Sequence, residues 1–361
     1  MKRIILHIGT EKTGTSTIQR FFHINAKALA TSGIVYPTVA YGPDMLSHVG
    51  LPVFAAGEKR LGSDIHAKFG VSDASALERF RDQLRARLYD AAAVSDYHTM
   101  VFSSEHLSSR LTEPAELARL KTLLEPLGTI DVILYVRPQE ELVASSYSTS
   151  IRLGATQAFS DYIEKSIQLK YYNYRFLCQL WSEAFGREHM RVRIFSTAAF
   201  HDGDLLSDIV RTAGLPINMA DYVPPPRENE SLSRLNLEFI RQLNVHLPRL
   251  GAKPALNPDP RWDVLQHIIS QLNNTGNTGK VRVGAATALK LRQHFGPGNA
   301  RVAREYFGKP AGGLFTLRQP TAAELAAADA DPELSLSKAF ELFAEIWGRA
   351  MARRIGQQVS P

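Results

Sequence analysis

Cysteine is nearly absent: Cys178 stands alone among 361 residues. A single thiol excludes an intramolecular disulfide framework and a zinc site built on cysteines. It fits a reducing compartment. Long hydrophobic runs are missing as well, and no window approaches the roughly 18 consecutive apolar residues of a membrane span. The opening Met1-Lys2-Arg3-Ile4-Ile5-Leu6-His7-Ile8-Gly9 has the basic start of a signal peptide. Its apolar stretch is too short for one and is broken by His7, so a soluble, cytoplasmic chain is expected. Charge of one sign is scarce too, since 42 Lys+Arg against 36 Asp+Glu leave only +6. No nucleic-acid motif accompanies that small excess, and no nucleic-acid partner is expected. The 11 histidines show no convincing metal-ligand spacing, so no metal is expected either. There is no internal repeat.

What is present is an ordinary globular composition, 44% hydrophobic and 22% charged. It suffices for one large domain or two modest ones. Apolar strand-type runs at 3–8, 33–37, 99–103, 130–136 and 190–195 alternate with helical periodicity through residue 200. The helix at roughly 76–93, for example, places Leu77, Phe80, Leu84 and Leu88 near a 3.6-residue period. Near-continuous apolar strands that alternate with helices predict a parallel sheet covered on both faces. The fold class expected is α/β, P-loop-like, with three α/β/α layers and a helical C-terminal part.

Residues 41–75, rich in Gly, Pro, Ser and His, read as a long excursion. Beyond residue 200 only helical patterns remain, at 204–213, 231–246, 261–272, 285–295 and 299–307. Between them lie Pro224-Pro225-Pro226 and the Gly/Asn run 273–279. The Ala/acid stretch 322–333 reads as a linker to a last amphipathic helix carrying Leu336, Phe340, Phe343, Trp347 and Met351. The boundaries expected are one domain over 1–320, with a sheet core to about 200 and a helical acceptor-side part beyond it. Residues 321–361 add a linker and a helix packed on the same domain. Positive charge gathers at 280–309, where Lys280, Arg282, Lys290, Arg292, Arg301, Arg304 and Lys309 face Glu305 alone. That patch is a solvated basic face or an anion-collecting rim.

Chemistry concentrates where strand 3–8 ends. Gly9-Thr10-Glu11-Lys12-Thr13-Gly14-Thr15-Ser16-Thr17 lies between that strand and a helix. In an open parallel sheet this is the place of a ligand crevice. Glycines let the backbone approach an anion, and unpaired N–H groups at a helix start point at it. A nucleoside-triphosphate loop reads G-x-x-x-x-G-K-[ST]. Gly9 and Gly14 keep that separation, but Thr15 holds the lysine position and the lysine is Lys12. Lys12-Thr13-Gly14-Thr15-Ser16 instead resembles the 5′-phosphosulfate loop of sulfotransferases that use 3′-phosphoadenosine 5′-phosphosulfate (PAPS). Arg137, directly after strand 130–136, with Ser145 eight residues on, matches the pair that binds the ribose 3′-phosphate in that family.

Weaker similarity extends to Tyr171-Tyr172-Asn173-Tyr174, Trp181, Phe185-Gly186, Val192-Arg193-Ile194-Phe195, Asn229-Glu230-Ser231-Leu232 and 299–307. These segments resemble the bacterial and carbohydrate branch of the superfamily. The resemblance implies sulfuryl transfer from PAPS to an acceptor hydroxyl or amine, on a small molecule or glycan, without a metal. It assigns Lys12 to the bridging oxygen and Thr13, Gly14, Thr15, Ser16 and Thr17 to the 5′-phosphate, with Arg137 and Ser145 on the 3′-phosphate. A base must also stand within reach of the acceptor. Glu105 comes first, followed by His48 and His106. The rival readings are a nucleotide-dependent kinase and a non-catalytic binder of acidic glycans.

Overall fold

The structure is a computed structural model. It describes residues 2–42, 45–226, 232–246, 268–270, 272, 281–309, 312–317, 321, 322, 339 and 341–343. The expected helix 261–272 and linker 322–333 lie almost wholly outside those residues. So do the run 273–279, Asn229-Glu230-Ser231, and Leu336, Phe340, Trp347 and Met351 of the last helix.

All five expected strands form: β1 Arg3–His7, β2 Ile34–Val35, β3 Thr99–Ser103, β4 Thr129–Val136 and β5 Met190–Ile194. They pair in parallel in the order β2-β3-β1-β4-β5. β1 is therefore central, with β3 on one side and β4 on the other, and His7 stands level with Ser103 and Ile133. The chain leaves β1 toward β2 and later crosses back to β4, so the sheet order reverses at β1. Such a reversal opens a crevice at the strand's carboxyl end.

Strand periodicity sorts the side chains. Ile5, Val101, Ile133 and Tyr135 face one way and pack with Ile18, Phe21 and Phe22 of α1 (Thr15–Ile24) and with Leu206, Ile209 and Val210 of the helix Leu205–Thr212. The spacing 18, 21, 22 is one helical face, and full burial of each such side chain contributes about 1.5–3 kcal/mol. Behind the opposite face the helix Tyr174–Phe185 packs on β4, β5 and the helix Pro114–Leu124, with Leu177 and Trp181 fully buried. The fold is α/β with helices on both faces of an all-parallel sheet.

The chain divides into two compact units. The first, Met1–Pro138, Leu169–Glu228 and Gln293–Leu317, contains the whole sheet. The second, Gln139–Gln168, Asn229–Arg292 and Arg318–Pro361, has helices and one isolated bridge residue, Leu232, among its described residues. Within it Asn244 Nδ2 donates to the carbonyls of Ile151 (2.8 Å) and Ala155 (3.0 Å), tying the helix Arg234–His246 to the end of Gln139–Arg152. Arg292 pairs with Glu140 at 2.7 Å and Lys290 with Glu164 at 2.5 Å. These pairs, with Arg301–Glu305 at 2.6 Å in the first unit, neutralise part of the basic stretch 280–309.

Two expectations are refined. The segment 41–75 is not an open loop: it holds the helices Gly50–Ala55 and Asp64–Ala67, and Val49–Ala56 is buried throughout. The helices expected at 285–295 and 299–307 form one helix, Ala285–Phe307, which carries Pro297 within it. Gly296 and Gly298 flank that proline.

Candidate active site

The loop of residues 8–14 continues the β1–β4 ladder before it turns. Ile8 N–H donates to Ile133 O (3.0 Å), Tyr135 N–H to Gly9 O (2.7 Å) and Thr10 N–H to Tyr135 O (2.8 Å). Thr10 Oγ1 also donates to Tyr135 O (3.1 Å), and Thr13 Oγ1 donates to Thr10 O (2.6 Å). The main chain then turns through three left-handed residues, Gly9 at φ +83°, Lys12 at +63° and Gly14 at +72°. Space is tight at both glycines as well. A Cβ on Gly9 would lie 2.9 Å from Glu105 Cβ, and one on Gly14 only 2.4 Å from Leu205 Cδ2.

Gly14 precedes α1, whose start has no side-chain cap. The N–H groups of Thr13, Gly14, Thr15, Ser16 and Thr17 have no acceptor among the described residues. Five unpaired donors beside a helix N-terminus form an anion cradle. Ser16 and Thr17 are exposed and Thr15 is buried. The hydroxyl proton of Thr13 is already given to Thr10, so its N–H is what it offers to an anion.

Arg137 follows β4 and reaches back over the loop. Its Nη1 donates to Lys12 O at 2.9 Å, and its guanidinium lies 5.6 Å from the centre of the Phe195 ring. Tyr174 Oη donates to Arg137 O (2.6 Å), and Tyr171 Oη accepts from Glu11 N–H (2.6 Å). Asn173 caps the helix that starts at Tyr174 through Phe176 N–H (3.1 Å). The motif Tyr171-Tyr172-Asn173-Tyr174 thus fastens the loop from the β4 side, a role that its sequence alone did not reveal. Ser145, in the helix Gln139–Arg152, belongs to the second unit.

On the β3 side stands Glu105, half-buried, with Oε2 accepting from Gln19 Nε2 of α1 at 2.8 Å. Its side chain does not cap the following helix His106–Arg110. Gln19 was not anticipated, because a glutamine on an amphipathic helix carries no local signal. His106 is half-buried, and its Nδ1 has no partner among the described residues.

His48 is differently placed. It is fully buried, its Nε2 donates to Pro37 O (2.8 Å), and its Nδ1 accepts from Ser103 N–H (3.0 Å). Tyr36, Tyr41 and Phe102 ring it edge-on at 4.5–5.1 Å. Neither nitrogen is left for an acceptor proton in this arrangement. His48 pins the excursion to β3, and the candidates for the base reduce to Glu105 and His106. His7 is also fully buried, with Nδ1 2.8 Å from Ser103 Oγ.

Burial pushes His48 down to about 4, against smaller opposing effects of its bonds to Pro37 and Ser103. It pushes His7 down to about 3. Both fold neutral, whereas in the unfolded chain each titrates near 6.5. The unfolded state thus binds more protons below that pH, and stability falls as pH drops from 6.5 toward the folded values. At pH 5 each imidazole removes about 2 kcal/mol relative to pH 7. Urea unfolding at the two pH values should show that loss, with Phe replacing His48 reducing its share. Equal midpoints at pH 7 and 5 would contradict the arrangement.

Among the described residues no group of acids, histidines or cysteine is placed to hold a metal ion, and no helix is long and apolar enough to cross a membrane. No family model matches the chain. An uncharacterized protein of Archaeoglobus fulgidus is 26% identical over 182 residues, 49% of this chain and 46% of that one. The chain therefore aligns with less than half of that relative's length. A sulfotransferase of Alicyclobacillus acidocaldarius has a solved structure that is similar over 74% of this chain and 96% of its own. Identity there is 18% and the TM-score 0.40, values that leave ligand and chemistry to be argued from the loop itself.

Proposed function

We propose that the chain is a sulfotransferase that moves a sulfuryl group from PAPS to an acceptor hydroxyl or amine, on a carbohydrate or glycolipid, and releases adenosine 3′,5′-bisphosphate. The observation that carries this reading is the convergence of Lys12, Arg137 and five free N–H groups on one loop that lacks a lysine after Gly14. The N–H groups of residues 13–17 and the hydroxyls of Thr15, Ser16 and Thr17 hold the 5′-phosphate. Lys12 stands at the bridging oxygen. Arg137 takes the 3′-phosphate, for which its forked donors suit.

The transfer breaks the bond from sulfur to that bridging oxygen and forms one to the acceptor atom. Glu105 accepts the acceptor's proton, since Gln19 orients one oxygen and leaves the other for it. Lys12 offsets the charge that grows on the leaving phosphate, the larger contribution in a reaction governed by positioning and electrostatics. The polar pair Glu105 and His106 beyond the end of β3, both half-buried, favours a sugar hydroxyl over a flat phenol. The lone thiol of Cys178 is buried, which suits a reducing, cytoplasmic setting.

Calorimetric titration of the wild type and Arg137→Ala with adenosine 3′,5′-bisphosphate tests the reading, with ATP–Mg²⁺ and 5′-AMP as competitors. Binding should be roughly 30- to 150-fold weaker in the variant, about 2–3 kcal/mol, as for a lost charge-assisted contact. 5′-AMP should bind poorly to both proteins. Should ATP–Mg²⁺ bind while the bisphosphate does not, the chain is a kinase-like phosphotransferase instead.

A further inference from the structure

β5 is an edge strand, and its outer side is unlike a plain sheet edge. Val132 N–H donates to His189 O (2.8 Å) and Phe195 N–H to Val136 O (2.7 Å), so the odd-numbered residues of β5 face β4. By the alternation of a parallel ladder the even-numbered ones face outward. Val192 is 7% exposed, yet neither its N–H nor its C=O has a partner among the described residues. Main-chain groups at a sheet edge are left to water or to an added strand. Met190, Arg191, Val192 and Arg193 all line a cavity of about 520 Å³, and four consecutive residues can do that only along the strand's edge.

The rest of the lining is cationic. Arg187, Arg191, Arg193, Arg211 and His201 border the cavity, against the single acid Glu188. Arg193 is bound to Asp208, and Arg187 lies 3.6 Å over the Tyr306 ring. Arg191 and Arg211 are exposed and form no ion pair among the described residues. Arg191 and Arg193 share one face of the strand, the face on which Asp208 of the helix Leu205–Thr212 lies, with Arg211 at that helix's end. The edge therefore has a basic shelf on one flank.

We infer that this edge docks an extended acidic peptide segment of a partner protein, added as a sixth strand beside β5. A small anion would satisfy the arginines and the Val192 N–H but would meet the Val192 carbonyl with like charge. A strand satisfies both groups at once, as peptides that augment a sheet edge do. Met190 to Ile194 offers about 13 Å of edge, enough for four or five residues. A second copy of the chain is disfavoured, because it would bring Arg191 and Arg193 against the same arginines. Charges that block self-pairing thus select an acidic partner. The cavity runs along Met190–Arg193, and the exposed Arg191 and Arg211 on its border form no hydrogen bond to the anion loop among the described residues, so these two arginines test docking apart from nucleotide binding.

The probe is a blocked hexapeptide of alternating Glu and Val, titrated into the full chain by calorimetry. Its analogue N-methylated at alternate residues and inorganic tripolyphosphate are run beside it. The parent peptide should bind, and the analogue should bind about tenfold more weakly, equal to about 1.4 kcal/mol. Arg191→Glu and Arg211→Glu, both exposed positions, should weaken the parent by about as much and leave adenosine 3′,5′-bisphosphate binding unchanged. Equal binding of the parent and its N-methylated analogue, or tighter binding of tripolyphosphate, would overturn strand addition in favour of an anion site. Failure of the peptide to bind at all would reduce the arginines to guards of a bare edge.

Discussion

Replacing Lys12 by glycine should abolish transfer and leave the fold as stable as the wild type. Lys12 is one of two non-glycine residues in the described chain at positive φ, the other being Asp202. A left-handed conformation costs a side chain with a Cβ about 1–2 kcal/mol. Glycine removes that strain and raises the entropy of the unfolded chain by about 0.5–1 kcal/mol, so the two changes nearly cancel. The ammonium is lost outright. In a water-poor site one preorganised donor at the leaving oxygen is worth about 10²–10³ in rate. Lys12→Ala keeps both the strain and the stiffer unfolded chain and loses the same charge, so it should match the glycine variant in rate and the wild type in stability. Release of adenosine 3′,5′-bisphosphate from PAPS reads the rate, and urea midpoints read the fold. A glycine variant that retains near wild-type turnover would remove Lys12 from the chemistry.

A strained lysine held by its own carbonyl also gives Arg137 a second role. The Arg137 Nη1 bond to Lys12 O pins the residue whose φ is unfavourable, so the proposed 3′-phosphate site and the loop would be coupled before any ligand arrives. A discriminating sign is the behaviour of ligands without a 3′-phosphate. Arg137→Ala would weaken 5′-AMP as well if the arginine served the loop alone.

The strands and the loop were legible because both rest on local patterns. Short apolar runs such as Ile4-Ile5-Leu6 and Val132-Ile133-Leu134-Tyr135-Val136, bounded by turn residues, read as buried strands, and Gly9 and Gly14 stand where the left-handed turns fall. Glu105 could be placed because β3 borders β1, so its end shares the crevice. What the sequence concealed rests on contacts between residues far apart. Nothing near Gln19 signals Glu105, 86 residues on. Nothing near His48 signals Pro37, Ser103 and three rings, and a histidine in a polar stretch read as available when it is walled in. Periodicity misread Ala285–Phe307 for a related reason. Gly296-Pro297-Gly298 carries every local stop signal, and the helix runs through it.

Asp208→Ala should be the most damaging single change away from the ligand. Asp208 is fully buried and accepts from Tyr135 Oη (2.6 Å), Arg193 Nε (3.1 Å), Arg193 Nη2 and His201 N–H (3.0 Å). Burial pushes its carboxyl up. The hydrogen bonds from Arg193, Tyr135 and His201, with the Arg193 charge, more than reverse that and hold it below the usual carboxylate range. Alanine takes the acceptor from a buried phenol and from a half-buried guanidinium that borders the cavity, a loss of about 2–4 kcal/mol. The damage reaches the loop through Tyr135, whose main chain binds both Gly9 and Thr10. Affinity for adenosine 3′,5′-bisphosphate should fall along with the urea midpoint. The double variant Asp208→Leu/Arg193→Met separates the two causes, since it leaves no buried charge. It should regain much of the stability, because an apolar pair often replaces a buried ion pair at little cost. It should not regain full affinity, because the Tyr135 hydroxyl stays unanchored beneath the loop. A single variant that loses under about 1 kcal/mol would mean that the network is ornament to a core already sufficient without it.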